Sequence, residues 1–468
     1  MQSTFERRTP LTQEIASITP DLNAAQARTI AKQAQTAFAS WSTSTPAARR
    51  IALLAAAEGL KHRQQDFVQA MQSEIGATEP WALFNLGLAV KHVEEAAAMT
   101  TQITGETLPS DKPGCLSQTR RDPVGVILGI APWNAPIILG CRAIAMPLAC
   151  GNSVILKASE VCPRTHGLIA EAFQEAGFPE HTVNLVTHGP NKAEGIVNAL
   201  IDTPEVRRIN FTGSTEVGRK IAVRAAQQLK PVLLELGGKA PLLVLDDANI
   251  DEAVAAAAFG AMMNQGQICM STERVIVTPA VADAFVEKLT AKVAALKAAD
   301  PKLGQAPLGA VVSPSTVARC QALIDDAVQR GADLLVSGDT QNAVIMPPHL
   351  LDKVTPEMSL YHTETFGPVL GVTRARDEEH AIALANDSDY GLSASVFTQD
   401  TARGLQIAQR IQAGMCHING PTLHDEPQAP FGGVKASGYG RFGGQAGIDA
   451  FTELRWITVE TEPGHYPF

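Results

Sequence analysis

INFTGSTEVGRK, residues 209–220, reads as a β-branched strand closing at Thr212, a turn at Gly213-Ser214, and a helix opening through Gly218. A glycine turn lets backbone approach a ligand closely, and the first helical N–H groups are free to meet a phosphate. The spacing is G-x-x-x-x-G, neither G-x-G-x-x-G nor a Walker loop, so alone it also fits a tight connection. Its value lies in its neighbours. GVILGIA, SVILKAS, VNLVT and APLLVLD are further short apolar strands, with helical patterns at Thr165–Ala176, Lys192–Ala199 and Glu216–Gln228 between them. Strand–helix alternation predicts a mainly parallel sheet covered by helices on both faces.

Outward from this core, residues 23–75 and 78–100 read as helices. A second α/β stretch follows Gly238, with helices at Asp251–Asn264 and Val281–Ala299 and strands in RVIVTP, ASVFT and GMCHING. TELRWITVE, 452–460, is strand-like, and an unpaired edge strand invites another chain. At 468 residues the chain exceeds one core, and two or three domains are expected.

Net charge of −10 argues against nucleic acid or an anionic membrane as the main partner. The N-terminal stretch lacks the apolar run of a secretory signal. The long apolar stretch from Val124 to Leu156 is broken by Pro132, Asn134, Pro136, Arg142, Pro147 and Asn152, so it reads as buried rather than membrane-spanning. Seven cysteines without C-x-x-C or Cys/His ligand spacing predict neither a disulfide framework nor a metal site, and a cytoplasmic setting is expected.

Several residues have chemistry to offer. Cys269, in NQGQICMSTERV, is either an inert buried thiol or a nucleophile that needs help to ionise. Glu235 closes an apolar strand, as a structural ion pair or as a base with a raised pKa. Asn134, in IAPWNAP, can cap a helix or point its amide at a developing oxyanion.

Taken in order, FTGSTEVG (211–218), LELGGKAP (234–241), GQICMSTE (266–273), ETFGPVL (364–370) and PFGGVKASGYGR (430–441) resemble the successive motifs of the aldehyde dehydrogenase superfamily. The resemblance runs from about residue 20 over nearly the whole chain. It implies a Rossmann-like NAD-binding domain (1–104 and 127–237), an α/β catalytic domain (238–436), and small β oligomerisation segments (105–126 and 450–468). A homodimer or homotetramer would follow.

The resemblance also implies roles. Cys269 is the nucleophile, Asn134 with the Cys269 backbone N–H holds the oxyanion, and Glu235 activates the deacylating water. Lys157 and Glu160, in ILKASE, grip the adenosine ribose. The acidic group suits NAD and repels the 2′-phosphate of NADP. Gly213, Ser214 and Gly218 meet the pyrophosphate. Ile130, Trp133, Leu236, Glu364 and Phe366 complete the cofactor contacts.

Arg142 is the one charge in the apolar stretch APIILGCRAIAMPLACG. It is either an ion-pair partner or a guanidinium reaching into the substrate tunnel toward a phenolic oxygen or ring face. Trp81 is a tunnel wall or a packing residue, and Ile268, Met270 and Phe431 supply apolar walls.

Trp81, Arg142, NQGQICMSTERV and residues 416–444 further resemble the salicylaldehyde and vanillin dehydrogenase branch. A small aromatic aldehyde is thus expected, salicylaldehyde foremost, with vanillin, benzaldehyde or a broad aldehyde range as alternatives. Three other readings compete: a CoA-acylating dehydrogenase, a cysteine hydrolase, and a non-catalytic protein on the same fold. Glu235 speaks against the first, and no histidine is convincingly placed as a base for the second.

Overall fold

The computed structural model describes residues 3–304, 306–464 and 466–468. Met1, Gln2, Gln305 and His465, which fall within the expected domain ranges, lie outside the described residues.

The strand ending at Thr212 is central to a six-stranded sheet. Its order is Gly438–Tyr439, Val232–Glu235, Val206–Thr212, Val126–Ile130, Ser153–Lys157, Val183–Val186. All neighbours pair in parallel except Gly438–Tyr439, which is antiparallel to Val232–Glu235. Val126–Ile130 and Ser153–Lys157 are buried at every residue, as strands covered by helices on both faces must be. From Val126–Ile130 the chain first builds to one side, then crosses to lay Val206–Thr212 on the other. Such a reversal opens a crevice beyond the carboxyl ends of the two strands, where open α/β sheets bind ligands.

A seven-stranded sheet runs Asp333–Val336, His349–Asp352, Val369–Arg374, Thr272–Val277, Ala240–Val244, Ser393–Phe397, Met415–Ile418. A third sheet pairs Thr452–Glu460 with Cys115–Pro123, and that strand with Thr107–Leu108. Its outer strand exposes Leu454, Trp456 and Val459. An N-terminal hairpin, Thr4–Arg8 with Ile15–Pro20, had no counterpart in the sequence reading.

The helical pattern over 23–75 is divided in three: Ala24–Trp41, Pro46–His62 and Gln64–Ile75. The first break is chemical. Thr45 caps the second helix by accepting from the Ala48 N–H, and Pro46 occupies its first turn, where a missing N–H is harmless. The helix expected to run to Asn264 ends at Met262, because Asn264 and Gln265 are left-handed (φ 48° and 56°) in the turn before Cys269. No described helix is long and apolar enough to cross a membrane.

Candidate active site

Three turns meet at Cys269. The first follows Val126–Ile130 and leads into helix Pro136–Ala149, all fourteen residues of which are buried. That helix starts after Ala135 without a side-chain cap, so the capping option for Asn134 falls away. Asn134 instead donates its amide to the Gln267 carbonyl at 3.0 Å. Its own carbonyl receives the Asn264 amide at 3.0 Å and the Trp81 indole N–H at 3.1 Å.

The second turn carries the thiol. Met263–Gly266 is a tight coil that Gly266 (φ +69°) closes, and a Cβ there would meet the Gly367 carbonyl oxygen at 2.2 Å. Ser271 then donates to the Gly266 carbonyl at 3.1 Å, holding Cys269 between them. The third turn is Glu235–Gly238. A Cβ on Gly238 would stand 2.2 Å from the Cys269 carbonyl oxygen, so only glycine allows these two turns to pack together.

Two cavities open on either side of the thiol. The larger, about 500 Å³, is lined by Trp133, Thr212, Gly213, Ser214, Glu235, Leu236, Glu364 and Phe366 among others. The smaller, about 60 Å³, is lined by Trp81, Arg142, Ile268, Met270 and Phe431, with Phe84 and Phe259 half-exposed. Asn134 and Cys269 line both. Six of the ten expected cofactor residues thus line the larger cavity, and all five expected substrate residues line the smaller one.

Ile130, Lys157, Glu160 and Gly218 are outside the lining of the larger cavity. Ile130 and Lys157 are paired at the carboxyl ends of adjacent strands, and Ile130 also faces Phe211. Lys157 Nζ lies 3.6 Å from Glu160 Oε2, and burial lowers its pKa. Gly218 lies one turn into helix Thr215–Gln227, whose N-cap Ser214 accepts from the Val217 N–H at 3.4 Å.

The electrostatics distinguish the acids. Glu235 is fully buried and neither carboxylate oxygen has a hydrogen-bond partner, so the ion-pair option fails. Burial pushes its carboxyl up to about 7. Burial and the Glu235 charge together push the Cys269 thiol well above its ordinary value. Glu364 accepts the Gly238 N–H at 2.9 Å and is pushed up to about 8 by burial and by Glu273. Glu273 in turn pairs with the buried Lys239 at 2.6 Å and accepts the N–H groups of Thr365 and Phe366. That ion pair fixes the turn presenting Glu364 and Phe366.

Arg142 combines features of both expectations. It is paired with Asp425, stands 3.2 Å from His92 Nε2, and places its guanidinium carbon 4.2 Å from the Phe431 ring centroid. It also lines the smaller cavity. Trp81 is buried, stacks on Phe84 and likewise does both jobs. Asp425, His92 and Arg319, the last lining the larger cavity, were not singled out in the sequence. Asp425 was visible only as one acid within HDEPQAP, and nothing there links it to Arg142, 283 residues away.

A model of the aldehyde dehydrogenase family matches residues 1–457. The chain belongs to this family. It is therefore an enzyme, an NAD(P)-dependent oxidoreductase of aldehydes. This aldehyde dehydrogenase is 54% identical over 464 residues to vanillin dehydrogenase of Pseudomonas fluorescens, covering 99% of this chain and 96% of that one. It is 47% identical over 468 residues to salicylaldehyde dehydrogenase of Pseudomonas putida, covering 100% and 97%. The structure of a salicylaldehyde dehydrogenase from Pseudomonas putida G7 complexed with salicylaldehyde superimposes with a TM-score of 0.97, at 47% identity, covering 100% of this chain and 96% of that one. The expected fold, an α/β aldehyde dehydrogenase fold, is the one observed.

Proposed function

We propose that this enzyme oxidises a hydroxylated benzaldehyde to its acid with NAD, through a thioester on Cys269. The observation that carries the reading is the position of Cys269 and Asn134 between a larger cavity of mixed lining and a smaller apolar, aromatic-lined one. A flat aldehyde entering from the apolar side brings its carbonyl to the sulfur. Trp81, Ile268, Met270 and Phe431 contact the ring. The likeness to vanillin and salicylaldehyde dehydrogenases supports an aromatic substrate. Salicylaldehyde was the foremost expectation, and vanillin is at least as well supported.

The resting thiol is protonated, so attack on the carbonyl carbon requires its proton to leave to solvent. The thiohemiacetal oxyanion is held by the Asn134 amide, which turns from the Gln267 carbonyl, and by the Cys269 backbone N–H. NAD, held by Gly213, Ser214, Leu236, Glu364 and Phe366 in the larger cavity, would supply the hydride acceptor that leaves this carbon as a thioester on Cys269. Glu235 then takes a proton from water, and the hydroxide releases the acid from sulfur. Overall, aldehyde, NAD⁺ and water give acid, NADH and a proton.

The larger cavity fits the cofactor. Its edge is the Gly213-Ser214 turn at the N-terminus of a thirteen-residue helix, a ready anion site. A Cβ on Gly213 would stand 2.4 Å from the Phe211 ring, so only glycine lets the turn close over that ring. Gly218 keeps the first helical turn close to Leu236. Lys157 and Glu160 serve the adenosine ribose, and the Glu160 carboxylate disfavours a 2′-phosphate. Ile130, Trp133, Leu236, Glu364 and Phe366 border the rest of the cofactor.

Residues 1–104 and 127–237 form the cofactor domain and 238–436 the catalytic domain in this reading. The third sheet, within 105–126 and 450–468, is the oligomerisation surface of a homodimer or homotetramer, and its exposed Leu454 and Trp456 support that role.

The test is a panel of kcat/KM values for salicylaldehyde, vanillin, benzaldehyde and aliphatic aldehydes, with NAD and with NADP, and identification of the product. Preference for the aromatic aldehydes with NAD, free acid being formed, is expected. Preference for aliphatic aldehydes, or acyl-CoA as the product, contradicts the reading.

A further inference from the structure

The smaller cavity is mostly apolar, and apart from Asn134 and Cys269 its polar lining is Arg142 and Asp425. The Asp425 side chain is 9% exposed. Its Oδ2 receives the Arg142 guanidinium and lies 3.5 Å from His92 Nε2. Its Oδ1 is buried with no hydrogen-bond partner, and so is Nε of Arg142. Burial alone would raise this carboxyl, but Arg142 and His92 outweigh it and hold it at about 2, so the oxygen is charged.

A buried, charged acceptor without a donor is costly. Of these two cavity-lining residues, Asp425 leaves one acceptor unpartnered and Arg142 one donor. A phenolic hydroxyl is the group that answers both, with one O–H to give and lone pairs to receive.

Resting on the reading of this cavity as an aromatic aldehyde pocket, we propose that Asp425 is a specificity-determining residue that accepts the ring O–H of a neutral hydroxybenzaldehyde. Arg142 donates to the same oxygen. The pair then reads the substrate in two ways. A ring without a hydroxyl leaves Asp425 Oδ1 unpaired. A phenolate has no proton to give and meets the carboxylate as a like charge. Arg142 alone would do the opposite and favour the phenolate, so Asp425 decides which ionisation state binds. A hydrogen bond to a charged group corresponds to about a 10- to 100-fold preference.

The experiment compares 2-, 3- and 4-hydroxybenzaldehyde with the corresponding methylbenzaldehydes, of similar size but without the O–H, and with benzaldehyde. Wild type and Asp425→Asn are assayed by NADH formation. In the wild type, at least one hydroxyl isomer should exceed its methyl counterpart at least ten-fold in kcat/KM. In Asp425→Asn that ratio should fall toward one, with the loss at least ten-fold larger on the hydroxylated ring than on benzaldehyde. A wild-type ratio near one at all three positions overturns the proposal, and that comparison stands even if the variant does not fold. Equal losses on all rings also overturn it, assigning Asp425 to structure. Turnover of benzaldehyde with no hydroxyl preference sinks this inference alone, whereas no turnover of any aromatic aldehyde sinks the functional reading beneath it.

Discussion

The indole N–H of Trp81 donates at 3.1 Å to the backbone carbonyl of Asn134. One residue thus walls the smaller cavity and anchors the turn that carries the Asn134 amide, the proposed oxyanion donor. Trp81→Phe keeps most of the wall and removes the donor. Loss of a neutral hydrogen bond is worth about 0.5–1.5 kcal/mol, so kcat should fall about 3- to 10-fold with KM little changed. Steady-state kinetics on one aromatic aldehyde check this, and a change confined to KM would reduce Trp81 to a wall.

Asn134→Ala removes the amide itself. Loss of one oxyanion donor costs about 2.7–4 kcal/mol, so kcat should fall about 10²- to 10³-fold. The larger fall than in Trp81→Phe separates the donor from its support.

The proposed role of Glu235 as deacylating base makes the reaction pH-dependent. Its carboxyl is pushed up to about 7 by burial, and only the ionised form takes a proton from water. The rate of thioester hydrolysis should therefore decline as pH falls through about 7, and Glu235→Gln should abolish hydrolysis along with that limb. The same shift acts on stability. The folded state binds this proton more tightly than the unfolded chain, so stability drops as pH rises from about 4.5 toward 7 and stays lower above. Glu235→Gln should thus gain in Tm relative to wild type more at pH 8 than at pH 5, and an equal difference at both would contradict the assignment.

Arg142→Ala leaves the Asp425 carboxylate buried without its cation. Breaking a buried pair by removing one partner costs about 3–5 kcal/mol. Thermal unfolding should show a clear fall in Tm, and activity should be lost more on hydroxylated than on unsubstituted benzaldehydes. An unchanged Tm would show that the pair carries no structural weight.

The sequence was most informative where local chemistry is strong. The strand-turn-helix at 209–220 needs only a β-branched run, a glycine turn and Ser214 as cap, and it stands as read. Cys269 and Glu235 stood out through ordered motifs and Asn134 through the family resemblance, although each alone admitted an inert reading. Long-range pairings were hidden. Asp425 and His92 reach Arg142 across 283 and 50 residues, and no periodicity encodes such a meeting. Breaks inside helices were also missed at Ser42–Thr45 and at Asn264-Gln265. Continuous apolar spacing on either side masks a cap or two left-handed residues.

The central claim is a covalent acyl group on Cys269 released by Glu235. Glu235→Gln protein should be mixed with salicylaldehyde or vanillin and NAD, and its mass measured before and after proteolysis. The account predicts a burst of one NADH per active site and a hydroxybenzoyl-type adduct on the peptide containing Cys269, absent in Cys269→Ser. NADH formation without any adduct, or an adduct on another residue, would contradict it.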